Sequence, residues 1–191
     1  MATPDEVLAY WLDEVGSAGW YKADDDLDDQ IRDRFAADWE RAVEGGLSLW
    51  LTYPNGTLAY IVLTDQFPRN MFRGDERAFA TDAVARAAAK MAISRGWDLR
   101  VDEPARQFFY MPLMHSENLC DQDRCVRLMM TRMPEAGEDK LVHARAHREV
   151  IRRFGRFPHR NEALNRPFQH GEEAYLADGG YGATVRALQA A

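Results

Sequence analysis

The sequence has no run of roughly eighteen apolar residues, the length a helix needs to cross a bilayer, so nothing in it reads as a membrane-spanning helix. Cysteine is scarce: Cys120 and Cys125 are the two present, five residues apart in one expected helix. There they point to different faces and stand too far apart for an unstrained bridge. Basic residues are outnumbered, 24 Lys and Arg against 31 Asp and Glu, for a net charge of −7. A general nucleic-acid binder needs a basic surface to displace counterions, and that class is excluded. Walker loops, a glycine fingerprint after a strand and a Gly-x-Ser-x-Gly elbow are all missing, which removes the common nucleotide folds and serine hydrolases. Without His-Glu-x-x-His, a cysteine cluster or a dense carboxylate loop, no metal and no other cofactor is expected. The opening residues Met1 to Glu6 are acidic and helix-like, unlike the basic and then apolar start of a secretory signal. Free thiols agree with a reducing cytoplasm, and neither membrane nor nucleic acid is expected as a partner.

What is present is enough for a core. The sequence is 46% hydrophobic, with five Trp, seven Tyr and nine Phe. At 191 residues it reads as a single domain over 1–191. Thr3-Pro4-Asp5-Glu6 has the form of a capping box with Pro at the first helical position. Val7, Leu8, Trp11, Leu12 and Val15 follow at helical spacing until Gly16. The cluster Asp24, Asp25, Asp26, Asp28 and Asp29 opens a second helix, favoured by the helix dipole. Its apolar positions are Leu27, Ile31, Phe35, Trp39 and Val43. Leu47 to Leu51 is the one piece with strand character, and Pro54-Asn55-Gly56 reads as a turn. Further helices are expected from Thr57 towards Pro68, from Asp75 (with Phe79, Val84, Ala87 and Met91 inward), from Asp102 to Tyr110, from a Ser116 cap (with Leu119, Val126, Met130 and Met133 inward) and from Asp139 to Gly155. Short helices around Asn161 and Glu172 complete the chain. Seven to nine helices with short connections make an all-α domain whose successive antiparallel helices stack as hairpins, although no fixed repeat period is visible.

Three segments break the pattern of a plain helix bundle. In Thr64 to Gly74, Pro68 removes a backbone donor beside Asp65, Gln66, Arg69 and Asn70. Asp65 and Arg69 are four apart and pair if the helix persists. The competing reading is a structural corner. In Phe108 to Glu117, Pro112 precedes His115 and Glu117, placed at a helix start where an imidazole stays neutral. Ser116 as a plain cap is the alternative. In His143 to Asn161, His143 and His147 share a helix face with Val150, Ile151 and Phe154, and both are expected to point inward. That spacing fits buried histidines with hydrogen-bond partners better than metal ligands. After Gly155, the corner Arg156-Phe157-Pro158-His159-Arg160-Asn161 gathers donors able to grip a carboxylate or phosphate, or to latch helices together. It weakly echoes Gln66-Phe67-Pro68-Arg69-Asn70. The arginines from Arg145 to Arg160 form either a solvated face or an anion site.

Asp65 to Gly74, the Pro112 to Glu117 stretch, Arg153 to Asn161 and the opening Val7-Leu8-Ala9-Tyr10-Trp11 helix together resemble the DUF924 family, a group of mainly bacterial proteins of unknown function. The resemblance covers nearly the whole chain. It implies an all-α fold similar to tetratricopeptide-repeat (TPR-like) superhelices, and it implies no activity. It marks Asp65, Gln66, Arg69, Asn70, His115, Glu117, His147, Arg156, His159, Arg160 and Asn161 as motif positions. The chain departs from the family pattern after Asn165-Arg166, where Pro167 to Gly171 precede Glu172-Glu173.

Three functional readings follow. In the first, the motifs converge on a cleft that binds a small anionic molecule, with Asp65, Gln66, Arg69, Asn70, His147, Arg156, Arg160 and Asn161 as ligand-binding candidates. His115, Glu117 and His159 are then the candidates for moving a proton. In the second, a TPR-like groove binds peptides. In the third, the motifs are structural latches.

Overall fold

The computed structural model describes residues 1–135 and 137–190, with the side chains of 137–139 left aside. The described residues are 73% helical, form nine helices and contain no strand. The fold class is all-α. The chain divides into two compact units, Met1–Pro112 and Leu113–Ala191.

In the first unit, α1 (4–15) starts with the expected capping box: Thr3 Oγ1 accepts from the Glu6 amide at 3.3 Å, and Glu6 accepts from the Thr3 amide at 2.7 Å. It ends at Gly16, whose φ of +62° belongs to the left-handed region, and a single turn follows over Gly16–Gly19. The next helix, α2 (Asp25–Val43), is capped by Asp24, which accepts from the Leu27 amide at 3.2 Å. Its buried face is Ile31, Phe35, Trp39 and Ala42, while Val43 is 56% exposed. A four-residue step overshoots each helical turn by about 40°, so a row kept at that spacing leaves the core within three turns.

The third helix, α3 (54–71), begins at Pro54 rather than Thr57. The Pro-Asn-Gly signal marks its start and not a separate turn. Gly56 packs so closely that a Cβ there would lie 2.5 Å from the Trp50 carbonyl. The helix also runs through Pro68 instead of breaking, with a π-helical stretch Val62–Gln66 just ahead. Pro68 cannot donate to the Thr64 carbonyl; the Thr81 hydroxyl donates to it instead at 2.6 Å and accepts from Trp39 Nε1 at 3.1 Å.

Leu47 to Leu51 shows no strand; Ser48–Thr52 is a 3-10 turn. Asp75 caps another 3-10 turn, Glu76–Phe79, and α4 (Asp82–Ser94) starts later than expected. Its inward face is Ala85, Ala88, Ala89, Ala92 and Ile93, and Val84 is 42% exposed. Small residues let α4 approach α3 closely, which leaves the larger side chains to the outside. The core of this unit is aromatic: the Phe35 and Phe67 rings lie 4.7 Å apart, and buried Trp11 packs on Phe67 and Phe108. Within Asp102 to Tyr110 the ordered piece is a 3-10 turn, Ala105–Phe109.

The division between units falls inside the short α5 (Met111–Met114). In the second unit, α6 (Leu119–Arg132) is capped by Asn118, which accepts from the Asp121 amide at 3.2 Å. Ser116, the expected cap, donates instead to the Asp121 carboxylate at 2.9 Å. The buried face of α6 is Gln122, Cys125, Val126, Leu128 and Met129, whereas Leu119 and Met130 are 42% and 56% exposed. Both cysteines are free, Cys120 exposed and Cys125 buried. Helix α7 (Gly137–Phe154) packs against α6, and it begins before Asp139, whose side chain lies outside the described residues. Helices α8 (Glu172–Ala177) and α9 (Gly180–Gln189) follow, α9 lying on α7. Val150, Ile151, Phe157 and Tyr175 form the core, with Phe154, Leu176 and Tyr181 against them.

Candidate functional site

The first motif lies in the first unit, where its polar groups are occupied. Asp65 is fully buried and takes a hydrogen bond from Gln66. Arg69 donates to the Asp65 carbonyl at 2.6 Å and pairs with Asp82 at 2.8 Å. Asn70 donates to Asp28 Oδ1 at 2.8 Å, and Arg73 grips the same carboxylate with two bonds of 2.8 and 2.9 Å. Part of the acidic cluster therefore serves as a partner for the proline motif.

The second and third motifs come together in the second unit. Buried Gln122 donates to the carbonyls of Met114 at 2.6 Å and Ser116 at 2.8 Å, and Arg160 Nη2 donates to the His115 carbonyl at 3.0 Å. These bonds hold the non-helical backbone around His115. Glu117 is locked: its carboxylate receives the Phe157 amide at 2.7 Å and both arms of Arg166 at 2.8 and 3.1 Å. The bonds from Arg166 and Phe157 outweigh desolvation and lower its pKa. An anion so engaged has its lone pairs spent on the protein.

Arg156 and Asn161 are also engaged, both on Glu172. Arg156 donates Nε and Nη2 at 2.7 Å each, Asn161 donates at 2.9 Å and the Gln169 amide at 2.7 Å. Glu172 is fully buried, and the Arg156 guanidinium holds its pKa down to about 2. Arg166 bridges this group to Glu117 by donating to Asn161 Oδ1 at 3.0 Å. Further back on α7, Arg152 pairs with Glu149 one turn away at 2.9 Å, and Arg148 reaches Asp123 on α6 at 3.5 Å.

The histidines are arranged differently. His143 is exposed, contrary to the expectation that it faces inward, and its Nδ1 meets the Tyr181 hydroxyl at 2.6 Å. His147 is half-buried, and its Nδ1 lies 2.8 Å from the His143 carbonyl oxygen. A carbonyl only accepts, so Nδ1 carries the proton and the neutral ring offers Nε2 as an acceptor. The His147 ring sits 6.2 Å from that of His115, 5.6 Å from Phe157 and 4.7 Å from Tyr181. His159 packs on Phe157 at 5.5 Å, and the buried Arg160 guanidinium lies over the Phe157 face at 4.6 Å. Desolvation first, and then repulsion from Arg160 and from His115 and His159 in their protonated forms, pushes the His147 pKa down to about 3. At neutral pH His147 is an uncharged proton acceptor.

Sequence reasoning missed Arg166, Glu172 and Gln122. No local pattern ties Glu172 to Arg156. Gln122 did carry a signal: it lies four and seven residues before Val126 and Met129, on the buried face of α6, where an amide needs partners. Among the described residues no group of three or more His, Cys, Asp or Glu is placed to hold a metal ion, and no helix is long and apolar enough to cross a membrane.

Two comparisons locate the chain among known proteins. A solved structure described as a protein of unknown function, ATU0120 from Agrobacterium tumefaciens, is 39% identical, with a TM-score of 0.85 over 92% of this chain and 97% of that one. No curated protein matches. The model of a family described as bacterial proteins of unknown function, DUF924, matches residues 7–180, and the chain belongs to that family.

Proposed function

We propose that the second unit binds a small anionic molecule beside His147, either as a binding protein or as an enzyme that uses His147 as a proton acceptor. The observation that carries this reading is the pinned tautomer: Nδ1 is committed to the His143 carbonyl, which leaves Nε2 as the acceptor of the neutral ring. Arg160 acts on His147 as positive charge, His115 and His159 add to it when protonated, and a field of that sign attracts an anion. Of the candidate residues, His115, His147, His159 and Arg160 belong to the ligand site in this reading. Glu117, Arg156 and Asn161 form the frame behind it, because their bonds are spent on Arg166 and Glu172. Asp65, Gln66, Arg69 and Asn70 are in the same position in the first unit, which favours the structural reading for them.

A cytoplasmic location and a single functional domain go with this proposal. Peptide binding is the weaker alternative, since it depends on a TPR-like stacking of the helices into a groove. The test is an NMR titration of histidine-labelled protein with inorganic phosphate, citrate and acetate. Binding at this site moves the His147 resonances and raises its pKa as negative charge offsets the basic neighbours, and His159→Ala weakens the effect. His147 signals unmoved by all three anions would refute the proposal.

A further inference from the structure

The first unit holds a cleft of about 660 Å³, a volume typical of small-molecule sites. It lies between the start of α2, the end of α3 and the turn that Asp75 caps. Its charged lining is four aspartates against three arginines, one negative charge in excess. Three pairs are closed: Arg73 on Asp28, Arg77 on Asp75 and Arg32 on Asp29. Asp25, exposed in the first turn of α2, is the remaining carboxylate, and it has no ion pair among the described residues.

Arg73 and Arg77 are gripped in the same way. Arg73 gives Nε and Nη2 to Asp28 at 2.8 and 2.9 Å, and Arg77 gives the same two nitrogens to Asp75 at 3.0 and 2.9 Å. A guanidinium has five N–H groups, so the grip spends two and leaves Nη1 and the second Nη2 hydrogen on the opposite edge. Nη1 of either residue has no partner among the described residues. The carboxylates cover the inner edges, yet the side chains stay 49% and 57% exposed, so the outer edges are what these residues present to the cleft they line. Arg77 also lies over the Phe72 ring at 4.5 Å. Both heads are therefore positioned before a ligand arrives. Arg32 differs: it gives Nε and Nη2 to the Met71 carbonyl and Nη1 to Asp29, so all three nitrogens are in use. Asp25 acts on Arg73 too, after Asp28, in raising its pKa, which sets the open carboxylate close to one of the open edges.

We infer that this cleft binds a small zwitterion of the amino-acid type, its carboxylate on the free edges of Arg73 and Arg77 and its ammonium on Asp25. A ligand that is only anionic meets the excess negative charge, and one that is only cationic leaves the arginine edges unused. A metal ion does not fit either, because among the described residues no three carboxylates converge to hold one.

The test is an NMR titration of the full chain, isotope-labelled at arginine, read from the Arg73 and Arg77 side-chain N–H resonances. The probes are L-alanine, β-alanine and γ-aminobutyrate, which carry both charges at growing separation, and butyrate and butylamine, which carry one each. The best of the amino acids should bind about fivefold more tightly than butyrate or butylamine, the upper end for an ion pair that water still reaches. Asp25→Asn, which removes a carboxylate held by no ion pair, should abolish that preference. Arg77→Gln, which leaves the Asp28 clasp intact, should weaken every probe with a carboxylate and leave butylamine unchanged. Butyrate binding as tightly as every amino acid, a preference that survives Asp25→Asn, or signals unmoved by all the probes would each overturn the zwitterion site. The anion site beside His147 lies in the other unit and stands or falls on its own histidine signals.

Discussion

The two units contain the same device built to different depths. In the first, Asn70 and Arg73 clasp Asp28; in the second, Asn161 and Arg156 clasp Glu172. Each clasp is an asparagine amide and a two-armed arginine on one carboxylate, beside a Phe-Pro pair. The weak echo between Gln66 to Asn70 and Arg156 to Asn161 thus has a physical content. The difference lies in what surrounds them. Asp28 is buried but its Arg73 partner is half exposed, whereas Glu172 is fully buried, its Arg156 partner is largely covered and it takes a further backbone amide. The second clasp also anchors the corner that carries His159 and Arg160 beside His147. A latch whose arginine is open to water contributes a contact; a latch covered on both sides sets the geometry of a site.

Removing the carboxylates tests that contrast most strongly. Glu172→Ala leaves Arg156, Asn161 and the Gln169 amide without their acceptor in a buried place, and chemical denaturation should show a loss of about 3–5 kcal/mol. Asp28→Ala should cost less, about 2 kcal/mol, since water reaches the released Arg73. Equal losses would mean that burial does not separate the two clasps.

Acid sharpens the comparison within the second unit. The folded pKa of His147 is depressed from its ordinary 6.5 to about 3, so the unfolded chain binds the extra proton between those values and stability falls as pH drops through that window. Glu172 is depressed from 4.5 to about 2, so its contribution, present above pH 4.5, is lost as pH falls towards 2. Stability measured against pH should lose its slope between about pH 6.5 and 4.5 in His147→Phe and keep it in Glu172→Gln. An unchanged slope in the Phe variant would show that His147 is not held neutral. The smallest expected effect is at the corner itself: Gly155 has φ of +71° with open space where a Cβ would stand, so Gly155→Ala should cost about 1 kcal/mol from backbone conformation alone, read from the thermal midpoint.

Much of the architecture was legible along the chain because it depends on neighbours in sequence. The all-α class, the Thr3 capping box, the Asp24 start of α2 and the stops at Gly16 and Gly155 are set by residues within one or two turns. Faces were less legible. Val43, Val84, Leu119 and Met130 look like core residues and are exposed, because the orientation of a helix is set by what it packs on. The alanine face of α4 shows that closeness of approach outranked side-chain size there.

The sequence by itself determined helix content, several helix boundaries and the residues from which a site could be drawn, since propensity, capping and charge are local properties. Only the tertiary structure decided which of those residues are spent and which are on offer. Glu117 and His147 look equally eligible in the sequence. One is closed off by Arg166, 49 residues away, and the other has its proton fixed on Nδ1 by a carbonyl of its own helix, which makes Nε2 an acceptor. Hydrogen-bond capacity is finite, and long-range pairing determines where it goes.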